Sequence, residues 1–279
     1  MEFIQAVARY NAEKFDKKTL ENDSYAFIHL IPFIGDLYLS DINMNTLWPF
    51  IHHRRRTVKN ATINRELEVV RCILNLAHKE WQCLESVPFL RMLKEPPPRV
   101  RFLTRSEADR LLLALPHHLQ PVIQYALATG CRRSEILKLE WSRVDLDRKV
   151  AWLDHGTTKN GSARGIPLNR DALIALEMCK SRNSKWVFTY SNQPMVGIGS
   201  AFKKALKRAN ISNFRFHDLR HTWASWHVMS GTPLYDLMTL GGWKTMDCVQ
   251  RYAHLAPEHL ASAARRIERT NYSNCSLFN

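Results

Sequence analysis

The chain has no apolar run approaching the ~20 residues of a bilayer-spanning helix. Its first residues, Met1-Glu2-Phe3-Ile4-Gln5, carry neither a basic stretch nor a long apolar one, which argues against a secretion signal. The expected location is therefore the cytoplasm, with no membrane partner. Cysteine is sparse: six residues are scattered at 72, 83, 131, 179, 248 and 275, with no Cys-x-x-Cys pair. In a chain without a secretion signal this speaks for reduced thiols and against a disulfide framework or a thiolate metal site. No carboxylate cluster of the kind a two-metal nuclease needs is visible. His217 and His221 stand at i, i+4, but Asp218 follows the first histidine where the metalloprotease pattern has Glu. Neither metal nor cofactor is expected. Internal repeats and low-complexity segments are also absent.

What is abundant is positive charge. The 279 residues carry a net charge of +14, unevenly placed. Residues 1–93 hold 12 basic and 11 acidic side chains, whereas residues 94–279 hold 28 and 15. A cationic second part of this kind suits a polyanion. The 45 % hydrophobic content is enough for real cores, and the length suggests two domains.

The first 93 residues read as helical. Ile63, Leu67, Val70, Leu74, Ala77 and Trp81 recur at steps of four and three, predicting a helix over 62–81. Pro32 and Gly35 are expected to break the apolar stretch 27–39. The acid-free run His52-His53-Arg54-Arg55-Arg56-Thr57-Val58-Lys59-Asn60 is either a solvated turn or a phosphate contact, with Arg54, Arg55, Arg56 and Lys59 as the candidate DNA ligands. Pro96-Pro97-Pro98 marks a stiff, extended linker over 94–103, whose Arg99 and Arg101 are placed to follow a DNA backbone.

The second part opens on a capping-box pattern, Thr104-Arg105-Ser106-Glu107. A helix over 122–128 should stop at Thr129-Gly130, and another should begin at Arg132 or Arg133. Residues 149–153 and 164–168 are strand-like and flank an Asn-Gly turn signal with Lys159 at its tip. Helices near 170–180 and 200–210 follow, and a basic helix over 259–270 closes the chain. The expected fold is mainly α with a small β-hairpin or sheet.

The stretch from His217 to Tyr252 gathers the chemistry. His217-Asp218-Leu219-Arg220-His221 leads a helix, and His217 and Arg220 share a face. Leu240-Gly241-Gly242-Trp243 and Arg251-Tyr252-Ala253-His254 follow. Brought to one point, a guanidinium, an imidazole, an indole N–H and a phenol suit a phosphodiester under attack by tyrosine.

Three separated segments resemble the boxes of the tyrosine recombinases, the phage integrase family. Thr129-Gly130-Cys131-Arg132-Arg133-Ser134-Glu135-Ile136-Leu137-Lys138-Leu139-Glu140-Trp141 is similar to the first box, His217-Asp218-Leu219-Arg220-His221 to the His-x-x-Arg box, and Leu240 to Trp243 with Arg251 to His254 to the last. The Thr158-Lys159-Asn160 turn resembles the lysine hairpin of that family. The resemblance covers about residues 104–255 directly. It implies a helical core-type DNA-binding domain (1–93), a linker (94–103), a catalytic domain (104–258) and a tail helix (259–279). By that resemblance, Tyr252 would be the nucleophile, forming a 3′-phosphotyrosyl bond and freeing a 5′-hydroxyl. Arg132 and Arg220 would hold the non-bridging oxygens, Lys159 would protonate the leaving oxygen, and His217 would serve as acid and base for the tyrosine proton. Glu135 would orient the arginines, and His221 would have a structural role. Trp243 stands where many members have His; its indole can donate a hydrogen bond but cannot carry a proton.

The implied activity is site-specific recombination of double-stranded DNA by transesterification, without ATP or metal. It would take four protomers on two duplexes, with accessory DNA-bending or directionality proteins as further partners, and the protein would be nucleoid-associated. A type IB topoisomerase-like enzyme and an inactive DNA-binding prophage remnant are the alternatives. Because the helical pattern begins within the first few residues, no extra arm-site DNA-binding domain is expected ahead of it.

Overall fold

The computed structural model describes residues 1–96, 99–153, 163–180, 182–255 and 264–267, and its contacts divide the chain into Met1–Pro98 and Arg99–Asn279. The first unit is built on α1 (Phe3–Glu13), α2 (Leu20–Ile34), α3 (Met44–Arg55) and α4 (Asn60–Lys79). Along α4, Ile63, Leu67, Val70, Leu74 and Ala77 are all fully buried, as their helical spacing demands. Each of the larger ones is stabilised by about 1.5–3 kcal/mol relative to exposure. Trp81 lies beyond the helix rather than on its last turn. Its indole N–H donates to Glu13 at 2.8 Å, and Arg9 covers its ring.

Two further expectations for this unit need correction. Helix α2 runs through Pro32 instead of breaking there. Proline removes only the bond to the carbonyl four residues back, and that residue, Ile28, is exposed, so water can meet the carbonyl. The basic run is not one solvated turn either. Its first four residues finish α3, where cations are favoured by the helix dipole. Arg54 turns inward onto Glu66 at 2.6 Å, with only 11 % and 7 % of the two side chains exposed, while Arg55, Arg56 and Lys59 stay on the surface.

The predicted linker is anchored at both ends. Buried Asn64 binds the Leu93 carbonyl and amide at 2.9 and 2.8 Å, and Asn60 binds the Lys94 carbonyl. Past the prolines, Arg99 pairs with Asp218 at 2.9 Å and Arg101 with Glu107 at 2.7 Å, both within the second unit.

The second unit opens with α5 (Arg105–Ala114), capped by Thr104 and Glu107 reciprocally. Then come α6 (Gln120–Thr129), α7 (Arg133–Leu137), α8 (Arg170–Glu177), α9 (Gly199–Arg208), α10 (Asp218–Met229), α11 (Leu234–Gly241) and α12 (Asp247–Gln250). Helix α6 lies between α8 and α10 and carries Val122, Ile123 and Ala126 into the core. A three-stranded antiparallel sheet joins β1 (Val144–Asp145), β2 (Val150–Leu153) and β3 (Arg164–Pro167), with Ala151 opposite Ile166 and Leu153 opposite Arg164. A second hairpin, β4 (Thr189–Tyr190) with β5 (Gln193–Pro194), was not legible as strand. Its turn residues Ser191 and Asn192 both have positive φ, the mark of a type I′ turn. The Lys159 hairpin tip lies outside the described residues, as does the predicted tail helix apart from 264–267. Among the described residues no helix is long and apolar enough to cross a membrane.

Candidate active site

Helix α6 ends on Gly130 in the left-handed conformation, φ 63°. A side chain there would also run into the Trp223 ring, so glycine is required twice over. The turn delivers Arg132 to the N-cap of α7. Glu135, three residues on, accepts from the Arg132 amide at 2.8 Å and from its guanidinium at 2.7 Å. Glu135 thus takes both kinds of Arg132 donor, satisfying the free backbone N–H at the start of α7 and aiming the guanidinium. Glu135 is almost wholly buried, while 17 % of the Arg132 side chain remains open.

Arg220 sits in the first turn of α10 and is 3 % exposed. Its guanidinium donates to the Gly130 carbonyl at 2.7 Å and the Gly241 carbonyl at 2.6 Å, and its carbon lies 4.0 Å from the Trp243 ring centroid. Helix α11 closes on Gly242 in the left-handed conformation, φ 65°, which turns the chain so that Trp243 stacks here. Burial, and then the charges of Arg132 and Arg164, bring the Arg220 guanidinium down to about 10.

Arg164 is a third guanidinium that sequence reasoning assigned no role. It alternates with Ile166 on the inner face of β3 and bonds both Glu135, at 3.2 Å, and the Gly241 carbonyl. The alternation Arg164, Ile166, Leu168 was the signal that could have found it: a cation in an inward register. Burial pushes the Glu135 carboxyl up, but Arg164 and Arg132 outweigh it and hold the group below the usual carboxylate range. Arg164 Nε and Arg251 Nε are buried donors with no partner among the described residues. Among the described residues the three guanidiniums of Arg132, Arg164 and Arg220 thus gather around the single carboxylate of Glu135.

Tyr252 follows α12 and is 1 % exposed. Its hydroxyl meets His221 Nδ1 at 2.5 Å, and its ring lies 5.8 Å from the His221 ring and 6.3 Å from Trp243. Burial raises its phenol to about 12, with Arg251 and Arg220 pulling the other way. His217 caps α10 and packs edge-on against His221, ring centroids 5.3 Å apart. Burial first, and His217 next, depress the His221 imidazole to about 4.

Arg132, Glu135, His217, Arg220, His221, Trp243 and Tyr252 thus converge, although they come from four separate elements. Of the other predicted residues, Lys159 lies outside the described residues. Arg54, Arg99 and Arg101 are engaged by carboxylates of their own units, while Arg55, Arg56 and Lys59 are exposed, Arg55 lying over the Trp48 ring. No group of three or more His, Cys, Asp or Glu side chains gathers in metal-binding fashion among the described residues.

The site can hold an anion against several guanidiniums with a phenolic oxygen beside it. Comparison with known proteins points the same way. Residues 101–259 match the phage integrase family, and residues 1–92 match the phage integrase SAM-like domain. The chain is 34 % identical to the integrase of Salmonella phage P22, over 96 % of this chain and 80 % of that one. In fold it is similar to the Tn1549 transposon integrase in complex with a circular intermediate DNA, with a TM-score of 0.82 at 18 % identity, covering 96 % and 100 % of the two chains. It also resembles a lambda integrase tetramer bound to a Holliday junction, with a TM-score of 0.70 at 20 % identity, covering 88 % and 78 %. With its site, its fold and its relatives in agreement, the chain belongs to the phage integrase family: it is a tyrosine recombinase, a DNA strand-transferring enzyme.

Proposed function

We propose that Tyr252 is the nucleophile of a site-specific recombination reaction, attacking a DNA phosphate to give a 3′-phosphotyrosyl intermediate and a free 5′-hydroxyl. The carrying observation is the buried Tyr252 hydroxyl beside a cluster in which, among the described residues, Arg132 and Arg164 share the carboxylate of Glu135 and Arg220 bonds backbone carbonyls. Arg132, the more open of the two predicted phosphate ligands, and Arg220 take the non-bridging oxygens and stabilise the charge that grows on them. Glu135 aims Arg132 and Arg164. The Trp243 indole holds the Arg220 plane by stacking, a role beyond the hydrogen bond expected of it. Lys159 is the general acid for the leaving 5′-oxygen.

Residues 1–93 serve as the core-type DNA-binding domain, with Arg55, Arg56 and Lys59 as phosphate contacts, joined by the linker 94–103 to the catalytic domain 104–258 and the tail 259–279. One site cuts one strand, so four protomers meet on two duplexes, as lambda integrase does on its Holliday junction. Accessory DNA-bending or directionality proteins complete the assembly, and the enzyme works in the cytoplasm on the nucleoid.

The test uses a nicked suicide substrate resolved on a denaturing gel. Wild type forms a covalent adduct, and Tyr252→Phe binds the same DNA but forms none. An adduct with Tyr252→Phe would move the nucleophile elsewhere.

A further inference from the structure

We propose that His221 takes the proton from Tyr252 as the phenolic oxygen attacks the scissile phosphorus, a step that the resemblance to the family places on His217. The inference rests on Tyr252 being the nucleophile. Its footing is a contact: His221 Nδ1 is 2.5 Å from the Tyr252 oxygen, within proton-transfer reach, with the two rings tilted by 47°. Tyr252 is 1 % exposed in the protein without DNA, and the acceptor within reach of its hydroxyl there is this imidazole. His221 is also the residue after Arg220 on α10. One rigid helix therefore sets the distance between the proton acceptor and the phosphate-binding guanidinium.

The groups facing this imidazole are His217, Asp218 and Arg220 from α10, and Arg251 and Tyr252 from the segment after α12. In the protein without DNA they keep the proton on oxygen: burial, then His217, hold the imidazole at about 4 while burial holds the phenol at about 12. An anionic phosphodiester arriving at Arg132 and Arg220 adds negative charge beside the imidazole and favours its cationic form. Tyrosine activation is thereby coupled to the presence of substrate.

The step balances. The hydroxyl proton moves to Nδ1 of a neutral imidazole carrying its own proton on Nε2. The oxygen lone pair forms the O–P bond. The P–O5′ bond breaks with its electrons on the 5′-oxygen, which takes a proton from the general acid assigned to Lys159. Religation reverses each transfer, and Nδ1–H reprotonates the departing phenolate.

The experiment is the pH profile of single-turnover adduct formation on the suicide substrate, with DNA binding measured in parallel. Asparagine at 221 places an amide oxygen near Nδ1, which accepts the hydroxyl bond but carries no proton. His221→Asn is expected to bind DNA normally and to cleave about 10²-fold more slowly or worse, the usual scale for a general base. Its profile should lack the single-proton acid limb of wild type, and His217→Asn should keep that limb. Added imidazole should restore cleavage to His221→Ala. Wild-type or faster cleavage by His221→Asn overturns the proposal, the second outcome making the bond a resting latch. A slow His221→Asn with the limb intact also overturns it. Should the 221 variants not fold, loss of the limb in His217→Asn decides against His221. Tyr252→Phe, run alongside, reports separately whether the nucleophile itself is misplaced.

Discussion

Arg54 in the first unit and the arginines around Glu135 in the second are all inward-facing guanidiniums, but they are matched differently. Arg54 meets one carboxylate, Glu66, through its Nε and a terminal nitrogen, and both side chains are nearly sealed. One cation and one anion close the account, and nothing is left over for a ligand. In the second unit Glu135 is shared by Arg132 and Arg164, and Arg220 bonds backbone carbonyls and stacks on the Trp243 face. Two buried N–H donors there have no partner among the described residues. The same residue type is a structural staple in one place and an anion receptor in the other. Charge balance makes the difference, because a surplus of desolvated cations is lowered in free energy by an arriving phosphate.

Breaking the matched pair should have the largest effect. Arg54→Ala strands a buried Glu66 and is expected to lower the unfolding free energy by about 3–5 kcal/mol. Replacing both members together, Arg54→Met with Glu66→Leu, should return most of that loss, since a well-packed apolar pair needs no counter-charge. Denaturant melts of the full chain test both, and a loss below about 1 kcal/mol for Arg54→Ala would remove the contrast.

Breaking the surplus cluster should strike the reaction first. Arg132→Ala and Arg220→Ala are each expected to slow adduct formation by at least ~10²-fold, about 2.7 kcal/mol of barrier. The two should differ in stability. Arg220→Ala leaves the Gly130 carbonyl without that donor and costs about 1–3 kcal/mol. Arg132, with its side chain partly open, costs less. Equal melting of the two variants would argue that Arg220 is less integral than its bonds suggest.

The smallest effect sharpens the comparison without touching catalysis. Sulfate should bind the surplus cluster and stabilise wild type by about 1.4 kcal/mol at ten times its dissociation constant. The midpoint should exceed that in chloride at matched ionic strength. Arg132→Ala should lose this increment, and Arg54→Ala should keep it. An equal increment in all three proteins would reduce it to a general salt effect.

Much of this is legible in the sequence. The α4 stripe, the stop at Gly130, the capping box at Thr104 and the strands around Val150 and Ile166 all follow from local periodicity and turn chemistry, where the deciding partners lie within a few residues. Pro32 misled because its cost depends on whether the freed carbonyl is wet, which no local pattern states. The β4–β5 hairpin escaped notice because two-residue strands leave too little alternation to read.

The sequence by itself determined the inventory of the site: a guanidinium after a glycine turn, a histidine and an arginine on one helix start, an indole after paired glycines, and a tyrosine nine residues on. Short motifs suffice for that, because each is held in shape by its own turn or cap. Only the tertiary structure decided the pairings. It turned Arg54 inward to Glu66, brought Arg164 from a strand edge to Glu135, and set His221 against a phenol 31 residues away. Those contacts are made between elements packed by distant apolar residues. Which cation is neutralised, which is left in surplus and which imidazole meets the tyrosine therefore follow from the folded core, and no local spacing encodes them.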